Sequence, residues 1–96
     1  MPDPQNPPEI RHNAQKHRFE AGEGTEIAKL NYRLHAGIVD LVHVEVPEEF
    51  QGMGLAGKLA STALEWARES GLKVTPSCPY VKAYLGKNPQ FADLLA

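Results

Sequence analysis

Val42-His43-Val44-Glu45-Val46-Pro47-Glu48-Glu49-Phe50-Gln51-Gly52-Met53-Gly54-Leu55-Ala56-Gly57-Lys58-Leu59 passes from a β-branched apolar run, through a glycine-rich loop, into a helical pattern. A strand that gives way to a loop opening directly into a helix is an anion-binding device. The first backbone N–H groups of a helix lack intrahelical partners, and the helix dipole adds about half a positive charge behind them. Glycine removes the side chains that would keep a phosphate at a distance. The stretch therefore predicts a phosphate-bearing ligand, and three ligand classes use loops of this general kind.

Gly52-x-Gly54-x-x-Gly57 has the spacing of a dinucleotide fingerprint. That fingerprint sets its first glycine close behind the strand, whereas Pro47 to Gln51 intervene here. The acidic ribose ligand expected about 20 residues later is also missing, because the next strand reads Leu72-Lys73-Val74-Thr75. Gly52-x-x-x-x-Gly57-Lys58 approaches a P-loop, but Leu59 stands where a magnesium-binding Ser or Thr belongs. Neither class accounts for the spacer and Gln51.

Gln51-x-x-Gly54-x-Ala56, preceded by Val46-Pro47, resembles the acetyl-CoA pyrophosphate loop of the GNAT N-acetyltransferase superfamily, whose signature is Q/R-x-x-G-x-G/A. The resemblance extends over Val39-Asp40-Leu41-Val42-His43, over Pro76-Ser77-Cys78-Pro79-Tyr80-Val81 and over Asn88-Pro89. Together these look like a small GNAT-like group of about this length, covering His17 to the C-terminus. The resemblance implies acetyl-CoA as co-substrate and an amine as acceptor. It implies cofactor contacts at Val44, Val46, Gln51, Gly52, Met53, Gly54, Leu55, Ala56, Gly57 and Cys78. Two helices usual between the first two strands of the superfamily, and its C-terminal strand pair, have no counterpart here. The cofactor half is kept while the acceptor half is cut back, so acceptor identity does not carry over.

Ninety-six residues make one small domain, able to bury roughly two thirds of its unfolded surface. A formal net charge of −2 gives no basic footprint for nucleic acid or an anionic membrane. Cys78 is the only cysteine, so no internal disulfide forms and a reducing cytoplasm is the expected setting. No apolar run approaches the length of a membrane span. Pro2, Pro4, Pro7 and Pro8 predict an extended, poorly ordered tail over residues 1–9, with the domain over 10–96. Oligomeric state is open, a monomer being favoured.

A short strand at Ile10 to His12 is expected to lead into strands at His17 to Ala21 and Thr25 to Leu34, joined by Gly22-Glu23-Gly24. After His35-Ala36-Gly37 a third long strand runs from Ile38 to Val46. Gly54 to Ser70 carries Ala56, Leu59, Ala60, Ala63, Leu64 and Ala67 at helical spacing. Leu72 to Thr75 then closes a strand–helix–strand unit with parallel strands. Pro79 suits the first position of a helix capped at Cys78, and Asn88-Pro89 opens a last helical turn. The fold class is α+β, a minimal GNAT-like fold: an antiparallel three-stranded meander, the strand–helix–strand unit and short C-terminal helices.

Acetyl transfer needs an amine deprotonated, an oxyanion stabilised and a thiolate protonated. His43 and Glu45 stand where the cofactor strand ends, and strict alternation sets Val42, Val44 and Val46 on the helix face and both polar residues on the other. His43 is the favoured base because imidazole exchanges protons near neutrality, although a wet face needs no function to be polar. Cys78 at a helix N-terminus is either a cofactor contact, a packed small residue or an acyl-accepting nucleophile. Tyr80 and Tyr84 share a helix face, and the resemblance makes Tyr84 the nearer match to a tyrosine that protonates the leaving thiolate. Lys58 could add a cation to the phosphate site. Trp66 reads as packing, and His12, His17 and His35 lack metal-ligand spacing, so no metal is implied. The rival is a non-catalytic acyl-CoA-binding or protein-interaction module.

Overall fold

The computed structural model describes residues 8–96. The expected tail therefore lies, for residues 1–7, outside the described residues. Five strands form one sheet in the order β1-β2-β3-β4-β5. They are β1 (Ile10–Asn13), β2 (Arg18–Glu23), β3 (Glu26–His35), β4 (Ile38–Glu45) and β5 (Lys73–Thr75). The first four pair antiparallel, and β5 joins β4 in parallel. Two helices complete the fold, α1 (Leu55–Glu69) and α2 (Pro79–Lys87), with 3₁₀ turns at Ala14–Lys16, Glu48–Phe50 and Pro89–Leu94. The α+β reading, the meander and the parallel closing strand are all present.

Turn chemistry fixes the register. Glu23 pairs with Glu26, so the β2–β3 hairpin turns on Gly24 and Thr25, with Gly24 at φ +71°. This corrects the expected turn at Gly22 to Gly24, because Gly22 and Glu23 stay in the ladder. Gly22 is nonetheless required: a Cβ there would stand 3.0 Å from the Phe50 ring. His35 pairs with Ile38, leaving Ala36 (φ +51°) and Gly37 (φ +80°) as a two-residue loop. Positive φ at both positions is the I′ pattern, whose twist matches that of the strands.

Alternation buries Phe19 and Ala21 of β2, Ala28, Leu30 and Tyr32 of β3 and Val39 and Leu41 of β4 against Leu55, Leu59, Ala63, Leu64 and Ala67 of α1. Each fully buried leucine contributes about 1.5–3 kcal/mol, and the alanines let α1 sit close to the sheet. Helix α1 ends in a Schellman motif, with Leu72 N–H on the Ala67 carbonyl (2.8 Å), Gly71 N–H on the Arg68 carbonyl (3.2 Å) and Gly71 at φ +71°. Edge strand β1 is fastened to α1 through His12. Its ring stacks on Phe19 at 4.2 Å, meets the edge of Trp66 at 4.7 Å and bonds the Tyr32 hydroxyl at 2.6 Å. Trp66 is thus part of the packing, as its spacing implied. At the other end Arg68 grips Asp93 (2.8 and 3.0 Å) and the Gln90 carbonyl (2.7 Å), tying the C-terminal turn to α1.

The opposite sheet face is polar and laid out in rows. Arg11, Glu20, Lys29 and Glu45 are successive cross-strand partners, and so are Asn13, Arg18, Asn31 and His43. Opposite charges directly across a ladder support the pairing.

Candidate functional site

The spacer between β4 and the glycines folds as the Glu48–Phe50 turn. Phe50 N–H bonds the Pro47 carbonyl (2.9 Å) and Gln51 N–H the Glu48 carbonyl (3.1 Å), while the Phe50 ring plugs the core over Gly22. Gln51 is extended, and Gly52 (φ +86°) and Gly54 (φ +71°) then turn the chain into α1 through left-handed backbone. A Cβ on either glycine would meet nothing within 4 Å. Both glycines serve backbone conformation, and the space beside them is open. Gly54 is the N-cap of α1 without any side-chain cap, and no acidic residue occupies the first turn. The leading amides of a 15-residue helix thus face a cavity of about 210 Å³ bounded by Val46, Phe50, Gln51, Gly52, Gly54, Leu55, Ala56, Gly57 and Tyr80. Met53 packs its side chain against the core instead. Lys58 belongs to a separate groove with Pro8, Glu9, Ile10, Ser61 and Thr62.

A second opening lies along β4. Strand β5 pairs with β4 only from Ile38↔Lys73 to Asp40↔Thr75, although β4 continues to Glu45. Cys78 N–H adds one bond to the Leu41 carbonyl at 2.9 Å. Beyond it, the β5 side of residues 42–45 carries no strand among the described residues. The register on the β3 side also breaks there: Tyr32 faces Leu41, Asn31 faces His43, and Val42 has no partner. This bulge corrects the strict alternation expected for the strand. Val39 and Leu41 are buried on the α1 face, and after the extra residue Val44 and Val46 return to that face, partly buried against the core. Val42 is the irregularity itself, whereas His43 and Glu45 lie on the polar face as expected.

His43 is exposed, across the ladder from Asn31. Glu45 is exposed and paired with Lys29 at 3.4 Å. Cys78 occupies the N-cap position of α2, but its thiol makes no cap bond and is 4% exposed within the core cluster. Tyr84 is half-buried, its ring 6.4 Å from Phe91 and 6.5 Å from Tyr80. The structure therefore brings Val46, Gln51, Gly52, Gly54, Leu55, Ala56 and Gly57 to one cavity, sets Val44 and Cys78 along the adjoining strand edge, and keeps His43 and Glu45 on the polar face.

Two features escape sequence reading. Tyr80, one turn before Tyr84, is the aromatic that walls the loop cavity; helical spacing gives the two tyrosines a common face without saying which reaches the loop. Glu20 sits on the polar face yet is 7% exposed, gripped by Arg18 (2.6 Å), Arg11 (3.3 Å) and Asn13 (3.4 Å). Burial works to raise its pKa, but the hydrogen bonds from Arg18 and Asn13 and the charges of Arg18 and Arg11 together hold the carboxyl below its ordinary range. Alternation alone would have left this residue in water.

A family profile described as GCN5-related N-acetyl-transferase matches residues 18–94. The chain belongs to that family. Protein NATD1 of Mus musculus is 34% identical over 86 residues, spanning 86% of this chain and 78% of that protein. The proteins of the same name from Gallus gallus and Homo sapiens are 44% identical over 52 residues, which is 54% of this chain and 47% and 46% of theirs. The match thus spans about half the length of these last two relatives. The solution structure of a GCN5-like protein from Staphylococcus aureus superposes with a TM-score of 0.75 at 28% identity, covering 92% of this chain and 87% of that one. The family expected from the Gln51 to Ala56 signature and the segments that extend it, and the fold expected from the strand and helix pattern, are both borne out.

Proposed function

We propose that this domain binds acetyl-CoA and transfers its acetyl group to an amine. The observation that carries the reading is the junction itself: uncapped amides at the N-terminus of α1 and an unpaired edge of β4 open side by side. Acetyl-CoA supplies an acyl group activated as a thioester. The amides following Gly52 and Gly54 suit its pyrophosphate, with no acidic residue in the first turn of α1 to repel it. Residues 42–45 offer free backbone groups to the amide-bearing pantetheine arm, as a sheet edge does to an added strand. Val44 and Val46 hold that edge in place by burying their side chains.

The bulge supplies the remaining backbone chemistry. An unpartnered residue such as Val42 leaves main-chain polarity unused in the ladder. A preorganised N–H aimed at a developing oxyanion is the type of group worth about 10²–10³ in rate. His43, exposed one residue further on, is the base assigned to the acceptor amine; Glu45 is the lesser choice because Lys29 already engages it. Tyr84 is assigned as proton donor to the thiolate, and buried Cys78 as a contact along the arm rather than a nucleophile. A lone cysteine and an acetyl-CoA substrate both fit a cytoplasmic setting.

Native mass spectrometry of the protein with acetyl-CoA and a mixed pool of primary amines and peptides tests this reading. A 1:1 complex, acetylated pool members and free CoA thiol above the background rate are expected. A complex without turnover would establish the non-catalytic acyl-CoA-binding module instead. Absence of any complex would sink the reading.

A further inference from the structure

Tyr80 is 41% exposed, unusual for a large aromatic ring, and walls the cavity in front of the α1 amides. The absence of a side chain at Gly57 makes room for it: a Cβ there would stand 3.4 Å from the Tyr80 hydroxyl. The hydroxyl thus reaches over the first turn of α1, although its own residue belongs to α2. Pro79 starts α2 just before it, and the Tyr84 ring lies alongside at 6.5 Å and 29°. Among the described residues the Tyr80 hydroxyl has no hydrogen-bond partner. Burial, with Tyr84 and Cys78 as further causes, raises its pKa above the ordinary value, which keeps the proton on the oxygen at neutral pH. The cavity lining contains no lysine, arginine or histidine. A phosphate held here would depend on neutral donors, and the Gln51 amide nitrogen already faces the Val46 carbonyl at 3.4 Å.

We propose that Tyr80 is a phosphate ligand, its hydroxyl donating a hydrogen bond to the cofactor's pyrophosphate from beside the first turn of α1. The assignment rests on the acetyl-CoA reading above and adds to it a side-chain donor from α2. It also gives Gly57 a reason that differs from those of Gly52 and Gly54: contact between helices rather than left-handed backbone.

Tyr80→Phe removes the donor and keeps the ring. Calorimetry with CoA, and amide-shift titration with ADP, which carries the pyrophosphate without pantetheine, compare the variant with wild type. A hydrogen bond to a charged group corresponds to roughly 10- to 100-fold in affinity, and the same factor is expected for both probes, with the thermal midpoint of the free protein little changed. Unchanged CoA affinity in Tyr80→Phe overturns the assignment. So does a loss confined to CoA, with ADP bound equally by both proteins or by neither, because the hydroxyl would then meet another part of the molecule. Failure of wild type to bind CoA at all is a different result: it overturns the acetyl-CoA reading, and this assignment with it.

Discussion

Gly54 allows the loop to be dissected by substitution, because its left-handed backbone (φ +71°, ψ 20°) and its open surroundings act separately. Gly54→Ala adds a methyl that touches nothing in the protein, so its cost is conformational, about 1–2 kcal/mol for a non-glycine residue in this region. For a domain of this size each kcal/mol lowers the melting midpoint by roughly 4–8 °C. Gly54→Asn enters the same backbone region more cheaply and offers an N-cap side chain that Gly54 lacks, so its midpoint should stay close to wild type. Both variants nevertheless place atoms where phosphate would approach the α1 amides. Ligand at 100 times its dissociation constant stabilises wild type by about 2.7 kcal/mol. Differential scanning fluorimetry with and without CoA reads both effects together. The expected pattern is a destabilised Ala variant and a near-native Asn variant, each with most of its CoA shift lost. A Gly54→Asn protein that keeps the full shift would refute the loop as the phosphate site, and a Gly54→Ala protein as stable as wild type would refute the backbone argument.

Ala36→Asn should stabilise the domain by about 0.5–1 kcal/mol, since Ala36 sits at φ +51° in a loop whose pattern favours Asn-Gly; thermal unfolding checks it, and a lowered midpoint would contradict the turn assignment. Glu20→Gln should cost about 1–3 kcal/mol by leaving Arg18 and Arg11 without their carboxylate. The wild-type pH profile should show the same interaction: a carboxylate held below its ordinary value of 4.5 contributes stability above that value and loses it as pH falls through the lowered pKa. Burial lowers the His12 pKa from 6.5, so the unfolded chain takes up this proton first and stability declines in the same acid direction. Urea midpoints between pH 7 and pH 3 measure the sum, and stability that holds level across that range would contradict both assignments.

The meander and α1 were legible because their signals are local. Glycine-containing turns, alternation in β3 and a 3.6-residue apolar stripe each depend on neighbours within a few positions, though the first turn lies two residues later than its glycines implied. The bulge at Val42 was written less plainly. Val39 and Leu41 set one phase of alternation, Val44 and Val46 the other, and the adjacent apolar pair Leu41-Val42 marks the change. Read from Val42 onward, the pattern passes for an uninterrupted strand; only the partner strand, where Tyr32 meets Leu41 and Asn31 meets His43, shows the extra residue. Tyr80 and Glu20 were hidden for a related reason. What surrounds them comes in part from other elements, Gly57 of α1 for Tyr80 and Arg11 of β1 for Glu20; alternation within β2 sets Arg18 beside Glu20 but does not report the cross-strand partner.

This distribution of signals bears on which half of the site can be read. The proposed cofactor side consists mostly of main chain: the uncapped start of α1, the bulge at Val42 and the β4 edge that β5, with only three residues, does not cover. Main-chain sites constrain the sequence through glycines and strand lengths, so the loop signature points to the family even where the polar side chains are few. The acceptor side has to be built from side chains, and on the polar face these are largely engaged with each other, Glu45 with Lys29 and Glu20 with both Arg11 and Arg18. His43 is exposed in that neighbourhood, and among the described residues it forms no ion pair. Alanine substitutions on the polar face should therefore alter sheet stability more often than cofactor affinity, while a single added side chain at Gly52 or Gly54 should act on the ligand directly, because at those positions the open space beside the backbone is the proposed site.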